Sequence, residues 1–154
     1  VYGGGTASKL FVNVRERLQL CYYANSAIDL HKGIMLVSSG IEFDKFDQAK
    51  AEILAQLDEI RKGNITDKEL NAAKAGIASM LRSGMDSQGE LEGFYLSQAL
   101  AGLDYGPLEL AELVENVTKD DVQDIARGVE CDLVYFLTGS GEDPDEEDEN
   151  DAEN

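Results

Sequence analysis

An arginine and a tyrosine seven positions apart, Arg15 and Tyr22, are residue types that could stabilise developing negative charge. A guanidinium carries five N–H donors and a phenol one O–H donor, so the pair suits an oxygen atom that develops negative charge. An arginine at the end of a helix and a tyrosine at the start of the next strand can converge on one point. The spacing alone is common, so a surface salt bridge for Arg15 and a half-buried ring for Tyr22 remain the alternative.

Two other candidate sites are weaker. The chain has one histidine, His31, whereas a catalytic zinc needs three protein ligands; we expect His31 to be solvated beside a hairpin turn. Gly3, Gly4 and Gly5 precede a helix, where backbone N–H groups can hold an anion. The run lacks the spacing of dinucleotide and phosphate-binding loops, which favours a flexible turn.

The first elements around these residues are a helix and a hairpin. Leu10, Phe11, Val14 and Leu18 recur on one face, which predicts a helix with Arg15 and Arg17 in its last turns. The helical stripe then stops. Two apolar stretches, residues 21–30 and 33–41, flank a turn and predict two antiparallel strands.

Several helices follow. The stripe of Phe46, Ala49, Ile53, Leu57 and Ile60 predicts a long helix that ends before Gly63. The sequence TDKE at residues 66–69 is a capping box for the next helix. Further helices are predicted over residues 90–100, after Pro107 and after Thr118.

A short apolar run at residues 131–138 predicts a strand that returns to the sheet. Because strands and helices are segregated, the fold class is α+β: an antiparallel sheet, made of the hairpin and the returning C-terminal strand, packed against several helices. Such a small sheet exposes an edge, which indicates part of a larger fold.

The charge pattern divides the chain into two parts. The formal net charge is −18, and nine acidic residues with no basic one lie between residues 142 and 153. We predict a folded body over residues 1–139 and a disordered acidic tail over residues 140–154, with weak capture of basic peptides as an alternative role for the tail. Nucleic acid and anionic membranes are unexpected partners, because both require cations.

The cellular compartment is predicted from the cysteine content and from targeting and membrane segments. Two cysteines, Cys21 and Cys131, are too few for a disulfide framework. We see no signal peptide and no apolar run long enough for a membrane helix. The expected localisation is cytoplasmic.

Residues 3–22, GGGTASKLFVNVRERLQLCY, resemble a known family. They are similar to the glycine-rich turn, helix and strand start of the second lobe of pitrilysin-type zinc peptidases, which include insulin-degrading enzyme and the mitochondrial processing peptidase. The resemblance continues through KGIML at residues 32–36 and covers roughly residues 3–138. It implies the C-terminal part of a LuxS/metallopeptidase-like lobe, with further chain before Val1.

In that family a first lobe carries zinc in an H-x-x-E-H motif, which this sequence lacks, and a second lobe contributes an arginine and a tyrosine seven residues later. The resemblance therefore implies that Arg15 and Tyr22 are auxiliary catalytic residues that contact the substrate backbone and the developing oxyanion. We also expect the matching turn, Gly3, Gly4 and Gly5, to contact substrate. No cofactor is expected in this chain; zinc is expected in the partner lobe.

The function implied is the non-zinc lobe of a metallopeptidase, inactive alone, with a peptide substrate and a zinc-bearing lobe as partners. That lobe would lie upstream in the same polypeptide or in a separate subunit. The alternative within the fold is a non-enzymatic structural or peptide-binding subunit, and an unrelated α+β domain also stays open. Homodimerisation through the exposed sheet edge is a further open expectation.

Overall fold

The computed structural model describes residues 1–139; the predicted acidic tail, 140–154, lies outside the described residues. The chain begins with a π-type helix, Leu10–Arg17, followed by strands β1, Tyr23–Asp29, and β2, Ile34–Gly40. A 3₁₀ turn, Phe43–Lys45, leads into α1, Phe46–Arg61. The remaining helices are α2, Asp67–Gly84; α3, Gln88–Ala101; α4, Pro107–Asn116; and α5, Lys119–Arg127.

The predicted hairpin is confirmed. β1 and β2 pair antiparallel, from Tyr23 opposite Gly40 to Asp29 opposite Ile34. The turn between them is closed by the Asp29 carboxylate, which accepts hydrogen bonds from the backbone N–H groups of His31 and Lys32, both at 3.1 Å. This local bonding is typical of aspartate in turns. Together with the helices, the hairpin confirms the α+β class.

The prediction that residues 131–138 return to the sheet as a strand is wrong. Residues 131–138 form no strand with the hairpin. Instead the ring of Phe136 stacks on Phe46 with 4.2 Å between centroids and meets Phe43 edge-on at 6.2 Å. A strand needs a neighbouring ladder of free N–H and C=O groups. On the β1 edge, the N–H of Ser26 is already donated to the carbonyl of Gly3, at 3.0 Å. The other edge of the hairpin, on β2, is open in the described residues, and residues 131–138 do not pair with it.

The core consists of two clusters that Tyr2 joins. One lies between the π-helix, β1 and the start of α1, and the other between α1, α2 and α5. Tyr2 packs against both and donates its hydroxyl to the carbonyl of Ile53 at 2.8 Å. Burial raises the pKa of Tyr2 well above its ordinary value. The N-terminal segment therefore ties the site-bearing π-helix to the helical layer.

None of the helices within residues 1–139 is long and apolar enough to cross a membrane.

Candidate functional site

The π-helix fixes where Arg15 leaves the body of the protein. Leu10 and Val14 are fully buried on one face, and Asn13 donates its side-chain amide to Gln56 of α1 at 2.7 Å. The last turn is wide, because the Leu18 N–H bonds the Asn13 carbonyl five residues back, at 3.2 Å. Arg15 consequently lies on the exposed side, two residues from the C-terminal end of the helix.

A tight reversal then brings the chain back past Arg15. Gln19 has a φ of +51°, in the left-handed region that non-glycine residues rarely adopt. Leu20 is 4% exposed and donates its N–H to the Val14 carbonyl at 3.0 Å. The reversal places Tyr22 beside the helix, just before β1.

Arg15 is held by its Nε and keeps its terminal nitrogens free. Nε donates to the backbone carbonyl of Tyr22 at 2.8 Å, and the guanidinium carbon lies 4.6 Å from the centroid of the Phe11 ring. Stacking on an aromatic face suits a guanidinium. No salt bridge joins Arg15 to a carboxylate of residues 1–139. Its outer N–H groups are therefore available to a ligand.

Tyr22 is tied to the end of β2 through both its backbone and its side chain. Its N–H donates to the carbonyl of Gly40 at 2.8 Å, and its phenol donates to a carboxylate oxygen of Glu42. Tyr22 as a whole residue is 65% exposed. The hydrogen bond to Glu42, helped by the negative charge of that carboxylate, raises the pKa of Tyr22, because both favour the protonated phenol.

Arg15 and Tyr22 line the same open cleft, which has a volume of about 610 Å³. Two cationic and two anionic side chains border it, together with polar and apolar ones: Arg15, Glu16, Gln19, Leu20, Cys21, Tyr22, Glu42 and Lys45. The structure brings the predicted pair together, and their catalytic role stays a prediction. Glu42 and Lys45 were missed, because nothing local in the sequence links residues 20 or more positions apart.

The three glycines lie apart from that cleft. Gly3 is buried, and a Cβ there would lie 2.5 Å from the backbone nitrogen of Ser26, so it is a close-packing position. Gly4 and Gly5 are exposed, with open space where a Cβ would be. Substrate contact by these residues stays a prediction.

The residues that the structure describes do not fit a zinc site. Within residues 1–139 no group of three or more histidine, cysteine, aspartate or glutamate side chains could hold a metal ion. His31 is exposed at the hairpin turn and lies 3.2 Å from the hydroxyl of Ser97 on α3.

Comparisons with known proteins agree on one family. Residues 1–77 match the family described as the Peptidase M16 inactive domain. The chain is 35% identical over 140 residues to a probable inactive metalloprotease, YmfF, of Bacillus subtilis, covering 91% of this chain and 33% of that protein. It is 28% identical over 128 residues to an uncharacterized zinc protease of Mycobacterium tuberculosis, covering 81% of the chain and 29% of that protein.

Solved structures support the fold. A conserved protein from Enterococcus faecalis aligns with a TM-score of 0.75 and 34% identity over 81% of this chain and 30% of the other. A protease from Helicobacter pylori aligns with a TM-score of 0.69 and 20% identity, over 81% of this chain and 31% of that one. The chain spans about a third of the length of the curated relatives it matches.

Proposed function

The chain belongs to the Peptidase M16 inactive domain family, which confirms the family resemblance of its sequence, and from that premise we propose that it forms one wall of a peptide-binding chamber and contacts the peptide through Arg15 and Tyr22. The zinc of such a chamber is expected on a partner lobe, in the same polypeptide or in a second subunit. The description of the family as inactive supports this division.

One observation carries the proposal: Arg15 and Tyr22 line the same open cleft. Arg15 enters the cleft with its outer N–H donors unengaged by the described residues, and Tyr22 enters it largely exposed. A peptide carbonyl gains from a charge-assisted donor, and an aromatic ring adds contact area. A cleft of this size suits a few residues of an extended peptide.

The sheet provides a second peptide-sized feature. In the described residues β2 pairs only with β1, so its other edge is open. Open edges accept extended strands by backbone hydrogen bonding. We expect either a peptide, a neighbouring lobe or a second copy of the chain to use this edge, in a cytoplasmic setting.

The proposal is tested by peptide binding. Fluorescence anisotropy with an array of labelled nonapeptides, blocked at both ends, measures the dissociation constant for the 154-residue chain. Arg15→Met keeps the aliphatic stem and removes the charged donors. We expect it to weaken binding by about 1.5–3 kcal/mol, or roughly 10- to 150-fold.

Two matched controls accompany this variant. Arg17→Met removes a guanidinium from the same helix, 64% exposed and outside the cleft. Tyr23→Phe removes a phenol hydroxyl beside Tyr22, also outside the cleft. Both should bind within about twofold of wild type. If Arg17→Met costs as much as Arg15→Met, general charge explains binding and the cleft does not.

A second candidate is a non-enzymatic peptide-binding or structural subunit, favoured by the name of the Bacillus subtilis relative, a probable inactive metalloprotease. Mixing the chain with candidate zinc-lobe proteins separates the two. Chelator-sensitive peptidase activity that depends on Arg15 and Tyr22 supports the enzymatic assembly. Complexes that form and remain inert support the subunit role.

A further inference from the structure

The phenol of Tyr22 has one proton, which it donates in a hydrogen bond to Glu42. A phenol can donate one hydrogen bond and accept others, whereas an ionised carboxylate only accepts. Since the Tyr22 hydroxyl donates to the Glu42 carboxylate, it has no second proton to offer to a ligand in the cleft. What it presents there is the remaining lone pair of the phenol oxygen.

We propose that Glu42 is a positioning residue that sets the polarity of Tyr22, so that the phenol accepts a hydrogen bond from a backbone N–H of the bound peptide while Arg15 donates to a backbone carbonyl. This rests on the proposed peptide-binding function and deepens it. The sequence-based expectation gave both residues donor roles; the arrangement divides them into one donor and one acceptor.

The surroundings of Glu42 support this division. Glu42 has an extended backbone at the start of the 3₁₀ turn and makes no capping hydrogen bond there, so its carboxylate is not required by that turn. Tyr22 is bound twice to the segment of residues 40–42, through its N–H and through its phenol. The raised pKa of Tyr22 has the same cause.

Arg15 supplies the hydrogen-bond donors that complement the phenol acceptor. Its Nε is used internally by the Tyr22 carbonyl, which leaves the two outer nitrogens as donors. An extended peptide offers a backbone N–H and C=O at every residue other than proline. A donor and an acceptor in one cleft therefore match the peptide backbone, and the expected ligands are extended peptides bound with little dependence on their side chains.

A double-mutant cycle tests the inference, with the blocked nonapeptide that wild type binds most tightly in the array as the probe. Tyr22→Phe should weaken binding about fivefold, the usual effect of one neutral hydrogen bond. Glu42→Ala should weaken binding about threefold, because the phenol proton is no longer held by Glu42 and can turn toward the cleft, where an acceptor is needed. The double variant should bind no more weakly than Tyr22→Phe. Glu42→Gln should bind nearly as tightly as wild type, because its amide oxygen still accepts a hydrogen bond from the phenol.

Asp44→Ala is the matched control and should bind like wild type, since it removes an exposed carboxylate from the neighbouring 3₁₀ turn that does not line the cleft. Tighter or unchanged binding by Glu42→Ala, or additive losses in the double variant, overturns the inference. If Arg15→Met still weakens binding by roughly 10- to 150-fold in that case, the proposed function stands. If wild type binds no nonapeptide of the array, the proposed function fails and the inference fails with it.

Discussion

Replacing Gly3 by alanine tests how the N-terminal segment is packed against the hairpin. An ideal Cβ at Gly3 would lie 2.5 Å from the backbone nitrogen of Ser26, 2.8 Å from its hydroxyl oxygen and 2.9 Å from the carbonyl carbon of Asn25. Two of these atoms belong to the backbone of β1, which cannot rotate away as a side chain does. The segment of residues 1–5 must therefore move.

The cost follows from what that movement breaks. The carbonyl of Gly3 loses the hydrogen bond from Ser26 N–H, worth about 1 kcal/mol. Displacing Tyr2, which packs against both core clusters, adds the roughly 1–3 kcal/mol typical of overpacked sites. We expect Gly3→Ala to lower the free energy of unfolding by about 2–4 kcal/mol and Tm by about 6–12 °C.

The measurement is urea unfolding followed by circular dichroism, with thermal unfolding as a second readout. Gly4→Ala is the matched control, because a Cβ there meets nothing within 4 Å; it should change stability by no more than about 0.5 kcal/mol. Equal midpoints for the two variants would refute the close approach of Gly3 to β1.

Two further predictions concern the buried pair of Lys9 and Glu69, whose charged groups lie 2.9 Å apart with side chains 7% and 15% exposed. Lys9→Met removes the cation paired with Glu69 and should destabilise the chain by about 2 kcal/mol in urea unfolding. Lys62→Met, which breaks an exposed pair with Glu59, should leave the unfolding midpoint nearly unchanged. Equal shifts for the two variants would contradict the burial argument. Burial raises the pKa of Glu69, but hydrogen bonds from Thr66 and Lys9 outweigh it and hold the pKa below its usual 4.5. A lowered folded-state pKa stabilises the protein above pH 4.5, and this stability is lost as pH falls through the folded-state pKa. Wild type should therefore lose stability on acidification more steeply than Glu69→Gln. Parallel curves of unfolding free energy against pH, from pH 6 to pH 3, would show that Glu69 is not stabilised as a carboxylate.

The sequence predicted those features whose chemistry lies within a few residues. The capping box at the start of α2 has both of its bonds, the Thr66 hydroxyl accepting from the Glu69 N–H at 3.2 Å and the Glu69 carboxylate accepting from the Thr66 N–H at 2.7 Å. Pro107 begins α4, and Gly63 ends α1 with a φ of +83°. Each depends on partners up to about four positions away, so local sequence is sufficient.

Contacts between distant residues were not accessible in the same way. Glu42 lies 20 positions from Tyr22, and Glu69 lies 60 positions from Lys9. Arg15 and Tyr22 were found through the family resemblance, whereas Glu42 carries no motif and depends on how the hairpin returns to the cleft. The π-type geometry was also missed, because Leu10, Val14 and Leu18 form a similar apolar stripe in an α-helix and the difference is one residue in hydrogen-bond spacing.

Residues 131–138 show what a short apolar run does and does not specify. Leu133, Tyr135 and Leu137 are 81%, 78% and 74% exposed, whereas Phe136 packs on Phe43 and Phe46. Most of the run is therefore exposed, and no ladder forms. A strand requires a neighbouring edge to which it is hydrogen-bonded, and an apolar run does not encode that pairing. The prediction of a buried strand was wrong because, within residues 1–139, the run pairs with neither strand of the hairpin.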